Sequence, residues 1–217
     1  YLKKITVDLL GEGDKDALPL EGYLRQAYEH AEDFCKLLSK RVKAGGFMST
    51  LMLKRIGSSI LSGENTAKKM LAWTEEGRQI LEDEFDESFE DDDDFDEDVS
   101  EVKNLTPEEV EELRELVRIL ALNHDNDPKY EKTLDILQHG TNDDKTPWKD
   151  RGCIIFSQYF DSAHFLAENL SIDLKDTIVG LYAGGDQSGT FLNGEFTRRE
   201  KEEIKKSCLT NSSSEMC

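Results

Sequence analysis

The sequence has little cysteine and no cysteine pair of the CxxC type. Its four cysteines are Cys35, Cys153, Cys208 and Cys217. Without close pairs there is no spacing for a zinc site or a dense disulfide framework. We therefore predict free thiols in a reducing cytoplasm. The chain also lacks any apolar run long enough to cross a bilayer, which predicts no membrane partner.

Motifs for nucleotide hydrolysis are also missing. No GxxxxGK[ST] loop occurs, so no P-loop with its lysine is available to hold phosphates. Acidic pairs such as Asp83-Glu84 follow no apolar strand, so none resembles a Walker B site for magnesium. The four histidines show no ligand spacing with one another or with cysteine. These absences predict no catalytic residue, no metal site and no cofactor held by this chain.

Acidity is abundant but concentrated in one stretch. The formal net charge of the chain is −20, and residues 82–101 carry 14 Asp and Glu without any Lys or Arg. The rest of the chain is therefore only about −6. Such a composition buries too little apolar surface to offset the entropy of ordering, so we predict a disordered insertion. It is either a solvated insertion or an acidic module that binds a basic protein or mimics DNA.

The remaining chain predicts helices first and a sheet afterwards. Apolar residues keep helical spacing over 20–44, over 47–62 with a stop at Gly63, and from Asn65 onward. Thr106-Pro107 with Glu109 forms a capping box, and another helix begins at Asp127-Pro128 and ends at His139-Gly140. We divide the chain into a helical region (1–81), the acidic insertion (82–101), a helical pair with a linker (102–149), an α/β segment (150–206) and a Ser-rich tail (207–217).

Two short apolar runs in the α/β segment predict strands. Cys153–Phe156 ends at Ser157-Gln158, immediately before an amphipathic helix, and 177–182 is a second apolar run. Strand followed by helix is the repeating unit of a doubly wound sheet, in which functional groups gather at the carboxyl ends of parallel strands, here at Ser157, Gln158 and Tyr159. We therefore expect a βαβα arrangement with buried parallel strands, a Gly-rich loop over 184–194, and a final helix capped by Thr197.

Several segments resemble one family in the correct order. Residues 150–170, DRGCIIFSQYFDSAHFLAENL, resemble the first strand and motif IV of the second RecA-like lobe of Swi/Snf-type helicase-related ATPases (superfamily 2). Residues 127–137, DPKYEKTLDIL, are similar to the helix that leads into that lobe. Residues 51–59, LMLKRIGSS, are similar to a stretch of a bacterial branch. Leu181–Gly185 and Arg198–Glu200 resemble the strand end and helix start that follow.

The resemblance implies an α/β fragment with a helical inter-lobe region (1–81) and the opening βαβα of a RecA-like, P-loop NTPase-type parallel sheet. The parent protein would be a DNA-dependent ATPase that uses ATP and Mg²⁺ and binds DNA, while this fragment alone would be inactive. An RNA helicase parent is the alternative, although the FSQ form of motif IV favours the Swi/Snf branch. The implied nucleic-acid contacts are Lys54, Arg55, Ser157, Gln158, Tyr182, Gly184 and Arg198.

Overall fold

The computed structural model describes residue 18 and residues 21–42, 45–72, 104–141, 145–175 and 177–211. The predicted insertion at 82–101 lies outside the described residues. The elements are α1 (Gly22–Ser39), α2 (Gly45–Ser58), α3 (Ile60–Ala72), α4 (Pro107–Ala121), a 3₁₀ turn (His124–Asn126), α5 (Pro128–His139), α6 (Trp148–Arg151), α7 (Phe160–Asp173), β1 (Val179–Leu181), β2 (Gly189–Leu192), β3 (Glu195–Arg198) and α8 (Lys201–Asn211).

Helices α1 to α4 share one apolar core. In α1 the buried residues Ala27, Ala31, Phe34 and Leu38 fall on one face because they recur every three or four positions. This face packs against α4 and α2, and α4 also packs against α3. Full burial of a large apolar side chain stabilises the fold by about 1.5–3 kcal/mol, so this shared core is the main source of stability in the helical region.

The boundary between α2 and α3 differs from the prediction. A helix ending at Gly63 was expected, but the break falls at Ser59, whose Oγ accepts a hydrogen bond from the Ser62 backbone N–H at 3.1 Å. Gly63 lies inside α3, where a Cβ would come within 2.7 Å of Ile56 Cγ1. The sequence suggested a helix stop at Gly63, whereas the structure uses this glycine for close approach between two helices.

The two predicted helix starts in the middle of the chain are confirmed. Thr106 and Glu109 form the reciprocal capping box at the start of α4. Asp127 caps α5 by accepting hydrogen bonds from the backbone N–H groups of Lys129 and Tyr130 at 2.9 and 3.2 Å. Helix α5 ends at His139, as predicted. Local hydrogen bonding is sufficient to define these ends, which is why the sequence predicts them.

The sheet corrects the predicted α/β arrangement. Strands β1, β2 and β3 form an antiparallel sheet in that order. The described residues therefore show no parallel RecA-like sheet, although β1 lies within the predicted strand at 177–182. Cys153–Phe156 forms no strand, and all four residues are exposed, in contrast to the predicted buried strand. The run has β character, but no neighbouring strand is present among the described residues to pair with it.

A hairpin replaces much of the predicted Gly-rich loop. Strands β2 and β3 are joined by Asn193-Gly194, whose φ angles are 51° and 83°. Positive φ at both positions matches the right-handed twist of a two-residue hairpin. Thr197 pairs with Thr190 in this hairpin. The predicted cap at Thr197 is thus wrong, and α8 begins later, at Lys201.

Packing of α7 joins the sheet to the helices. Ala167 of α7 contributes to a core with Leu181 and Phe191. Leu170, three positions further along α7, packs in a second cluster with Leu137 of α5. No helix in the described part of the chain is long and apolar enough to cross a membrane. The cytoplasmic location stays a prediction.

Candidate functional site

The turn at residues 157–159 combines exposure with a defined conformation. It follows the apolar run that ends at Phe156, a residue that is 90% exposed. The Tyr159 backbone N–H donates to Ser157 Oγ at 3.3 Å, which closes the turn directly before α7. Ser157 and Gln158 are both exposed. The hydroxyl and amide groups implied by the resemblance are therefore accessible to a binding partner.

Tyr159 is covered by Arg55 of α2. The guanidinium carbon of Arg55 lies 4.0 Å from the centroid of the Tyr159 ring, and Arg55 is only 4% exposed. Burial lowers the pKa of Arg55, and the nearby Asp161 carboxylate opposes this effect. A planar cation stacked on an aromatic face and removed from water is a favourable interaction. This contact connects α2 to a turn about one hundred residues away.

Hydroxyl groups make a second connection at the same place. Ser58 Oγ donates to Ser162 Oγ at 2.7 Å, and the hydroxyls of Ser59 and Ser162 are 2.8 Å apart. Asn65 of α3 donates from Nδ2 to Asp161 Oδ2 at 3.3 Å. The first turn of α7 is thus held by side chains from α2, from α3 and from the residue between them. We call these contacts, together with the Arg55–Tyr159 stack, the α7 anchor.

Asp127 stabilises the break between α2 and α3, next to the α7 anchor. Asp127 is 3% exposed. Its Oδ1 atom caps α5, and its Oδ2 atom accepts a hydrogen bond from the Ile60 backbone N–H at 2.9 Å. One carboxylate therefore serves the first turns of both α5 and α3. The Lys129 ammonium also donates to the Gly57 carbonyl. Asp127 and Lys129 therefore fix the geometry of the break between α2 and α3.

The predicted nucleic-acid contacts fall into separate places. Lys54 is exposed on α2, whereas the neighbouring Arg55 is buried, so Arg55 cannot reach a phosphate in this conformation. Among the other predicted residues, Ser157 and Gln158 adjoin the α7 anchor. The nucleic-acid contacts at all of these positions stay predictions.

The last three predicted residues lie at the sheet. Tyr182 is exposed, and the ammonium groups of Lys201 and Lys205 lie 5.4 and 5.5 Å from its ring centroid. Gly184 lies in the exposed β1–β2 connection, and Arg198 forms an ion pair with Asp186 at 2.5 Å. The sheet thus collects an aromatic ring and several cations on an accessible surface, although the Asp186 carboxylate neutralises part of the charge.

The Gly-rich β1–β2 connection is a poor site for the phosphates of ATP. It is followed in the chain by strand β2 and not by a helix, and the exposed Asp186 carboxylate would repel a phosphate. Within the ranges that the structure describes, no group of three His, Cys, Asp or Glu side chains is arranged to hold a metal ion. No step of nucleotide chemistry can be assigned to these residues.

Sequence reasoning missed the partners in the α7 anchor. Tyr159 was expected among the groups at the end of the predicted strand, Asp161 and Ser162 only within the following helix, and Asp127 only as a cap. No periodic signal links these residues to α2 and α3, because the hydrogen bonds of the α7 anchor join residues 96 to 104 positions apart, and Asp127 and Ile60 are 67 positions apart. No protein-family model, curated protein or solved structure matches the chain.

Proposed function

We propose that the chain is part of a Swi/Snf-type, DNA-dependent ATPase that translocates on duplex DNA. In this proposal it supplies the helical inter-lobe region and the beginning of the second RecA-like lobe. The observation that carries the proposal is the turn at 157–159: an FSQ sequence that ends an exposed apolar run and exposes Ser157 and Gln158 directly before a helix.

The exposed run supports the same proposal. Ile154 and Phe156 are exposed to solvent, and no neighbouring strand is present among the described residues. Exposed apolar segments whose backbone groups are not paired in a sheet are sites at which a further strand can pair. Under the proposal, a parallel RecA-like sheet forms when other parts of the polypeptide supply strands alongside Cys153–Phe156. Those parts would also hold ATP and Mg²⁺, so this chain alone would not hydrolyse ATP.

Sequences that flank this segment in the source gene provide the first test. A GKT loop and a DExH strand upstream, with DAxxEGxN and QRxxR motifs downstream, would support the proposal. Their absence in all reading frames would overturn it, because the hydrolytic residues would then have no source.

Nucleic-acid-stimulated ATP hydrolysis by that complete polypeptide is the second test. We expect duplex DNA to stimulate hydrolysis, and Gln158→Ala to reduce the stimulation because the amide is exposed at the proposed contact. Gln26→Ala is the matched control, since Gln26 is exposed on α1 and far along the chain from the turn. Stimulation by RNA instead of DNA would favour the RNA helicase alternative.

A second candidate function rests on the acidic stretch. Its 14 acidic residues within 82–101 carry no compensating Lys or Arg, so they are suited to bind a basic protein. Deletion of 82–101 would abolish capture of a basic partner under this alternative. It would leave DNA-stimulated ATP hydrolysis intact under the first proposal.

A further inference from the structure

Arg55 lies where the resemblance suggests a DNA contact, but its surroundings indicate another role. Its guanidinium is buried against the face of Tyr159, while the adjacent Lys54 stays in water. Two neighbouring cations of one helix therefore differ in environment. A cation used for phosphate binding should be accessible, whereas a buried, stacked guanidinium has a fixed geometry.

We propose that Arg55 is a positioning residue that sets the conformation of the turn at 157–159. The ring of Tyr159 is clamped from α2, and Tyr159 is the N-cap residue of α7. Its backbone N–H closes the turn on Ser157 Oγ, and its carbonyl accepts from the Ala163 backbone N–H at 3.1 Å. A displacement of the ring would therefore move both the turn and the first turn of α7.

The side chain of Tyr159 is required because backbone bonds alone leave the turn weakly held. Ser157 and Gln158 are exposed, and the preceding run forms no strand. Tyr159 is the first position of this segment whose side chain is packed against the helices. Ser162 adds its hydroxyl contacts to Ser58 and Ser59, so the fixed region begins at Tyr159 and continues into α7.

The functional consequence rests on the proposed function. If Ser157 and Gln158 contact nucleic acid, Arg55 controls that contact without touching the ligand. A change in α2 would then be transmitted to the nucleic-acid surface through the stacked pair, in addition to the Ser58–Ser162 hydrogen bond that holds α7. The role of Arg55 in the turn itself requires neither ATP nor DNA and can be measured on this chain.

Hydrogen–deuterium exchange of backbone amides in 157–163 is the test. We expect Arg55→Met to increase exchange at Tyr159 and Ala163 by about tenfold, corresponding to ~1.4 kcal/mol for a desolvated cation–π contact. Lys54→Met is the matched control, because it removes an exposed cation from the next position, and we expect no change. Exchange at 157–163 that is unaltered in Arg55→Met would overturn the proposal.

Substitutions of Tyr159 separate a local role from a general loss of packing. Tyr159→Leu should produce the same local increase, whereas Tyr159→Phe keeps the aromatic face and should restore wild-type protection. If Arg55→Met increases amide exchange throughout the chain, the two Tyr159 variants provide the test. Equal exchange at 157–163 in Tyr159→Leu and Tyr159→Phe would refute a role for the stacked ring. A positive exchange result with no nucleic-acid-stimulated activity would retain the positioning role and reject the proposed function.

Discussion

Replacement of Asp127 should reveal how strongly one buried carboxylate stabilises two helices. Oδ1 accepts from the backbone N–H groups of Lys129 and Tyr130, and Oδ2 accepts from that of Ile60. Asp127→Ala removes the cap of α5, which costs about 1 kcal/mol. It also leaves the buried N–H of Ile60 without an acceptor, which costs about 1–3 kcal/mol. We expect the free energy of unfolding to fall by about 2–4 kcal/mol.

Urea unfolding followed by circular dichroism at 222 nm measures this loss. In a chain of this size, each 1 kcal/mol corresponds to about 2–4 °C in Tm, so a thermal melt gives a second reading. Asp127→Asn keeps one acceptor oxygen and should lose about half as much. Asp125→Ala is the control because Asp125 is exposed two residues earlier, and a change within about 0.5 kcal/mol is expected. An Asp127→Ala variant as stable as the Asp125 control would refute the double-cap interpretation.

Two further substitutions test the helical core. Arg41→Met should lower the free energy of unfolding by about 3 kcal/mol. The Glu109 side chain is 1% exposed, and it would lose the guanidinium that donates to both of its carboxylate oxygens at 2.8 and 2.6 Å. A loss below about 1 kcal/mol in urea unfolding would contradict this expectation. Gly63→Ala should lower the free energy of unfolding by about 1–3 kcal/mol, because the added Cβ would overlap Ile56. Gly46→Ala is the control. A Cβ at Gly46 would have no atom within 4 Å, so this variant should be as stable as the wild type or more stable in the same assay. Equal stability of the two alanine variants would show that α2 and α3 approach less closely than described.

The accuracy of the sequence predictions follows the range of the interactions. The starts of α4 and α5 were predicted because their caps involve residues within three positions of one another. The α2–α3 break was misplaced because Gly63 resembles a helix stop unless its contact with Ile56 is known. Asn193-Gly194 carried a strong hairpin signal, which was overlooked when the segment was interpreted as a continuous Gly-rich loop.

The candidate site shows the same limit. Exposure of Ser157 and Gln158 agrees with their place at the end of an apolar run, so a polar surface there could be anticipated. The sequence could not indicate that Lys54 is exposed while Arg55 is buried, since both are cations on one helix. Only the tertiary contact between α2 and the turn at 157–159 makes this difference, because it places the Tyr159 ring against Arg55 and leaves Lys54 exposed.

The amino-acid sequence by itself determined the helical character of 22–39 and 45–72, the caps of α4 and α5, the concentration of acidity in 82–101 and the absence of a P-loop. These are properties of composition or of neighbours along the chain. The tertiary structure alone decided the antiparallel pairing of the sheet, the exposure of Cys153–Phe156 and the double use of Asp127. Strand partners and buried hydrogen-bond partners come from distant segments, and local preferences of the chain do not specify which distant segments meet.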